Sequence, residues 1–137
     1  MSVPDEALRW FSFAREDLAT ARACFEQPEI PARQSCYFAQ QAAEKAIKAL
    51  LIANGGQVPR SHDLDFLRNK LPPGARLHST HPSLSDLTEW VVGARYPDAY
   101  DAATDGDAAK ALETASEVLA SIQLDLESLA KPEANGT

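Results

Sequence analysis

The chain has 137 residues and a formal net charge of −7. That length suits a single domain with its own core, and the acidic balance excludes nucleic-acid binding driven by charge alone. No apolar run reaches the roughly 18 residues of a membrane span, and the N-terminus MSVPDEALRW lacks the basic start and apolar core of a secretion signal, so the chain is expected in the cytoplasm, off the membrane.

The first predicted element is a helix from about Pro4 to Phe25. Pro4 suits a first-turn position, and Asp5 and Glu6 favour the N-terminal dipole. Ala7, Phe11, Ala14, Leu18, Ala21 and Phe25 step by four and three, the spacing of a bundle seam. Gln-Pro-Glu-Ile-Pro interrupts it, and Pro31 opens a second helix that stops at Asn54-Gly55-Gly56. Within that helix Cys36, Ala39, Ala43, Ile47 and Leu50 share one apolar stripe. Tyr37, Gln41, Glu44 and Lys48 form a second, polar stripe. A helix with two faces unsuited to free solvent meets neighbours on more than one side, and a homodimer is one way to satisfy both. Cys24 and Cys36 have no metal-type spacing and read as unpaired thiols in a reducing compartment.

A linker, VPRSHDL, leads to a short helix over roughly His62–Lys70, capped by Ser61 and ended by Pro72-Pro73-Gly74. Leu84, Leu87, Val91 and Ala94 mark a further helix over about Pro82–Ala94, interrupted at Arg95-Tyr96-Pro97-Asp98. The last helix begins near Asp105, with Thr104 and Asp107 spaced as a capping box, and Ala108, Ala111, Ala115, Val118, Ile122, Leu126 and Leu129 lie on its apolar face. No strand-like alternation or repeat is present. These elements predict an all-α, up-and-down four-helix bundle with one short additional helix, a single domain over 1–131 and a flexible tail over 132–137.

Charge is unevenly spread. Residues 33–76 hold seven basic side chains (Arg33, Lys45, Lys48, Arg60, Arg68, Lys70, Arg76) against three acidic ones, whereas 77–137 hold three basic against eleven acidic. The two regions are suited to pairing inside the fold or between subunits, or to one local anion site. For such a site Arg95, with its bidentate guanidinium, Tyr96 as a stacking ring and Asp98 in the same loop are candidates, joined by Lys45, Lys48 and Arg60. His62-Asp63 is the remaining chemical pair and suggests a metal-dependent hydrolase only if further ligands converge on it. The chain has no Gly-rich phosphate loop, no Cys-x-x-Cys and no nucleophile elbow; neither a cofactor nor a metal is expected.

Taken in order, CYFAQQAAEKAIKALL, PRSHDLDFL and ARYPD resemble the HEPN family of small all-α bundles, over about Trp10 to Leu129. The resemblance implies a dimeric bundle and a separate nucleotidyltransferase partner, often as a toxin–antitoxin pair, with nucleotide or RNA as the ligand class. Some members are metal-independent ribonucleases with an Arg, four to six residues, His motif. By position Arg95 matches the arginine, but residues 100–102 read Tyr100, Asp101, Ala102 where the histidine belongs. Cleavage through an attacking 2′-hydroxyl needs a group that exchanges protons near neutral pH, and tyrosine, with a reference pKa of about 10, serves poorly. Arg76 and His81 keep the spacing but precede the fourth segment. The expected role is therefore a nucleotide- or partner-binding module, with a ribonuclease using Arg95 as the alternative.

Overall fold

The computed structural model describes residues 2–93 and 103–131, and among them all regular structure is helical. The described residues form six helices in order: α1 Asp5–Glu26, α2 Ala32–Ala53, α3 Leu64–Asn69, α4 Leu77–Thr80, α5 Ser85–Gly93 and α6 Asp105–Ala130. The all-α architecture matches the sequence reading, with one addition. A second short helix, α4, forms in what reads as a Pro-flanked connector, because fully buried Leu77 anchors one turn there. No helix among the described residues is long and apolar enough to cross a membrane.

In α1 the residues Ala7, Phe11, Ala14, Leu18 and Ala21 are buried as the seam spacing requires, while Phe25 in the last turn is left 43 % exposed. Pro4 sits just before the helix rather than inside its first turn. Helix α2 ends as the Asn-Gly-Gly signal predicts. Gly55 takes φ 79°, and the Asn54, Gly55 and Gly56 amides take up the last carbonyls of the helix. The capping box of α6 is complete in both directions, Asp107 N–H to Thr104 Oγ1 at 3.1 Å and Thr104 N–H to Asp107 Oδ2 at 3.0 Å.

The start of α3 corrects the sequence reading. Asp63, not Ser61, is the cap, its Oδ1 accepting from Phe66 N–H at 3.1 Å, so the helix begins two residues later than expected. Ser61 Oγ instead accepts from Asp63 N–H and braces the approach. Arg68 is buried, and it donates to Asp65 and to the His81 carbonyl at 2.8 Å, while Asp65 also accepts the Leu84 amide at 2.8 Å. One ion pair thus ties α3 to the entry of α5.

Cross-contacts fix the topology. Ser35 Oγ reaches the Ala21 carbonyl at 2.8 Å and Lys45 reaches Asp17 at 2.6 Å, so α1 and α2 form an antiparallel hairpin. Arg76 pairs with Asp125 and His81 with Glu117, so the chain leading into α5 runs antiparallel to α6. The Arg76–Asp125 pair also joins the basic middle to the acidic last third within one fold. Helix α2 is the hub, packing on α1, α3, α5 and α6. Its buried alanines 39, 42, 43, 46 and 49 let those neighbours come close on several sides at once. Cys36 lies in this core, and burial, reinforced by the Asp107 carboxylate, pushes its thiol up to about 12. Neither cysteine is in a disulfide.

Candidate functional site

Gln40, Glu44 and Lys48 recur every fourth residue along α2, which places them on one stripe. All three are buried, at 0 %, 4 % and 7 % exposure. A polar side chain stays in such a place only if its hydrogen bonds are made, and here they are. Lys48 Nζ donates to Glu44 Oε2 at 2.9 Å, Gln40 Nε2 donates to Glu44 Oε1 at 3.2 Å and to the His62 carbonyl at 3.1 Å, and Gln41 Nε2 donates to Gln40 Oε1 at 2.7 Å. The Lys48 ammonium also lies 5.9 Å from the centre of the Trp10 ring on α1. No buried side-chain polar atom lacks a partner among the described residues.

The loop after α2 completes the cluster by laying His62 against it, with Nδ1 at 2.8 Å from Glu44 Oε1. Burial works against the Glu44 charge, but the hydrogen bonds from Lys48, His62 and Gln40 outweigh it and hold the carboxyl below the usual carboxylate range. An ionised carboxylate only accepts. The Nδ1 of His62 must therefore be the donor, which fixes the tautomer of the neutral ring and turns Nε2 to the far edge. Half of the His62 side chain is exposed. The arrangement is a half-exposed imidazole oriented through Nδ1 by a buried carboxylate.

The sequence candidates scatter around this cluster. Lys48 belongs to it. Lys45, three residues earlier, is engaged by Asp17, and Arg60 is exposed in the loop that delivers His62. Arg95, Tyr96 and Asp98 lie outside the described residues. Asp63 is occupied as a helix cap and His62 faces Glu44, so the two do not converge, and among the described residues no group of three or more His, Cys, Asp and Glu side chains is placed to hold a metal. Arg76 and His81 are drawn to separate carboxylates on α6. What the sequence reading missed is Gln40, Trp10 and the pairing of His62 with Glu44. The spacing of Gln40, Glu44 and Lys48 was available, but Gln41 on the adjacent stripe fitted the same period.

Two surfaces adjoin the cluster or the last helix. Trp10, Phe13 and Asp17 lie three and four apart on α1, and the Asp17–Lys45 and Trp10–Lys48 contacts set that face against α2, whose half-buried Tyr37, Phe38 and Gln41 lie towards its N-terminal end. Phe13 is 51 % exposed there. On the other side a groove of about 610 Å³ between α5 and α6 is lined by His81, Asp86, Glu89, Trp90, Asp107 and Lys110, with carboxylates in excess.

The family model of the HEPN domain matches residues 7–125. Among solved structures, TT1696 from Thermus thermophilus is 30 % identical with a TM-score of 0.80, over 90 % of this chain and 100 % of that one. The archaeal HEPN homologue ST0689 is 26 % identical with a TM-score of 0.68, over 88 % of this chain and 97 % of that one. Comparison with curated protein sequences gives no match.

Proposed function

The chain belongs to the HEPN family, and from that premise we propose that it is a partner-binding module that works, as a homodimer, with a separate nucleotidyltransferase in a toxin–antitoxin pair. The observation that carries this reading is the α1–α2 face. Phe13 is half exposed one turn from Trp10 on α1, Tyr37 and Phe38 add partly exposed rings in the first half of α2, and aromatic side chains left at a surface are the usual composition of a protein interface.

Partner binding is favoured over a nucleotide grip by Lys45 and Lys48. Each already holds a carboxylate of the fold, so neither is a ready counter-charge for a phosphate. The Glu44–Lys48 stripe is buried by the chain's own Trp10 and His62, and the stripe left for a partner is that of Tyr37, Phe38 and Gln41.

The test is co-expression with any minimal nucleotidyltransferase that the host genome is found to encode. The expected result is a stable complex, and a dimer of the isolated chain in sedimentation at micromolar concentration. The substitution Phe13→Glu is expected to weaken association at least about tenfold while leaving the helical signal intact. A monomer that ignores the nucleotidyltransferase would overturn the proposal.

A further inference from the structure

The three histidines of this chain are not equivalent. His78 places Nε2 at 3.0 Å from the Pro72 carbonyl and 3.3 Å from that of Leu71. His81 has Nδ1 at 3.0 Å from Thr80 Oγ1 and Nε2 at 3.1 Å from Glu117. Both His78 and His81 are thus engaged through Nε2. His62 alone directs Nδ1 inward to a carboxylate, and Nε2, on the opposite edge of a half-exposed ring, makes no hydrogen bond among the described residues.

We propose that His62 Nε2 is a phosphoryl-acceptor site, with Glu44 as its positioning residue, for small phosphoryl donors carrying a good leaving group, of the acyl phosphate class. The chemistry follows from the geometry. The Nε2 lone pair attacks the phosphorus atom, an N–P bond forms, and the P–O bond to the acyl group breaks with its electron pair leaving on the carboxylate product. The proton on Nδ1 stays where it is. The phosphorylated ring is cationic while it keeps that proton, and the buried Glu44 carboxylate 2.8 Å away neutralises the charge as it develops.

The surroundings hold the ring ready for that attack. Gln40 pins the His62 main chain through its carbonyl, and Lys48 holds the second Glu44 oxygen, so the carboxylate cannot swing away. Asp63, the nearest acidic neighbour in sequence, has its carboxylate turned to the Phe66 amide. Arg60, exposed two residues before His62, is the cation nearest to it along the chain, and a guanidinium suits phosphoryl oxygens.

The experiment needs no partner protein, so its outcome is separate from that of the pairing proposed above. The intact chain is incubated with acetyl phosphate, and phosphorylation is followed by phosphorus NMR and by intact mass, with peptide mapping at neutral pH because N–P bonds are acid-labile. Expected is one phosphoryl group, on His62, added at least about ten times faster than on His78 or His81 in the same molecules. Glu44→Gln keeps the shape of the side chain but removes the charge, and is expected to slow His62 about 10- to 100-fold while leaving His78 and His81 at their former rates. That internal ratio separates positioning from a general loss of structure. Should Glu44→Gln fail to fold, the comparison of the three histidines in the unaltered chain decides the matter alone. Equal rates at the three rings, no phosphoryl group on His62, or a His62 rate indifferent to Glu44→Gln would each overturn the proposal.

Discussion

Two stripes run along α2, and both are dry for opposite reasons. Cys36, Ala39, Ala43, Ile47 and Leu50 are buried because they are apolar and small, and their contribution is area removed from water plus close contact with α1 and α6. Gln40, Glu44 and Lys48 are buried as thoroughly because each satisfies the next, with His62 and Trp10 closing the set. The apolar stripe tolerates the loss of any one member as a local cavity. The polar stripe holds only while it is complete, since removing one member leaves another buried and unpaired. Similar burial therefore implies different failure modes, and that difference can be measured.

The largest effect is expected at the polar stripe. Lys48→Ala strips Glu44 of its buried cation, and breaking a buried pair from one side costs about 3–5 kcal/mol. Urea unfolding is the measurement. Replacing both partners, Glu44→Leu with Lys48→Met, should recover much of that loss, because no uncompensated charge remains. A double variant as unstable as the sum of its singles would mean that the stripe does not act as a unit.

The apolar stripe is sharpened by the opposite manipulation. Ala43 is fully buried where α2 is packed on several sides, and Ala43→Leu inserts volume into a close approach. Overpacking of this kind costs about 1–3 kcal/mol. Ala23→Leu, at an exposed position of α1, is the control and should change stability little.

The two stripes also differ in how far the sequence revealed them. The apolar one was legible residue by residue, because hydrophobic period and burial are the same physical statement. The seams of α1 and α6 were legible for the same reason, as were the capping box at Thr104 and the stop at Gly55. On the polar stripe the sequence placed Glu44 and Lys48 together but named Tyr37 and Gln41 as companions, where the structure has Gln40 with Gln41 half-buried beside it. Periodicity says which residues share a face; it does not say which loop will cover that face. The covering residue, His62, is 18 positions from Glu44, and its identity as a partner depends on where the loop after α2 returns. The cap at Asp63 was missed on similar grounds, since Ser61 and Asp63 are both good capping residues and the docking of His62 decides which is in place.

A smaller effect follows from the Glu44 charge. Its folded-state pKa lies below the ordinary value of 4.5, so the carboxylate favours the folded state wherever it is ionised in both states. The contribution is complete above about pH 4.5 and is lost as pH falls through the folded-state value. The measurable consequence is that the difference in urea midpoint between the unaltered chain and Glu44→Gln is constant from pH 7 down to about 5 and narrows below 4.5. The apolar stripe predicts no such dependence, and a difference that stayed constant to pH 3 would place the Glu44 contribution in its shape rather than its charge.

The smallest effect tests whether position or chemistry makes Lys48 matter. Lys45 lies three residues away on the same helix, carries the same ammonium, and makes a shorter contact to its carboxylate, 2.6 Å to Asp17 against 2.9 Å from Lys48 to Glu44. Distance alone would rank Lys45 first. Exposure reverses the order, because the side chains of the Lys45–Asp17 pair are 30 % and 17 % exposed where those of Lys48–Glu44 are 8 % and 6 %. Water screens the first pair and solvates either partner left alone, so Lys45→Ala should cost only about 0.2–1 kcal/mol. Salt separates the pairs further. In roughly 1 M sodium chloride the screening length falls to about 3 Å, and the Lys45→Ala loss should shrink towards zero while the Lys48→Ala loss persists. If both losses were equal and equally sensitive to salt, the burial of the Glu44 cluster would not be what distinguishes the two lysines.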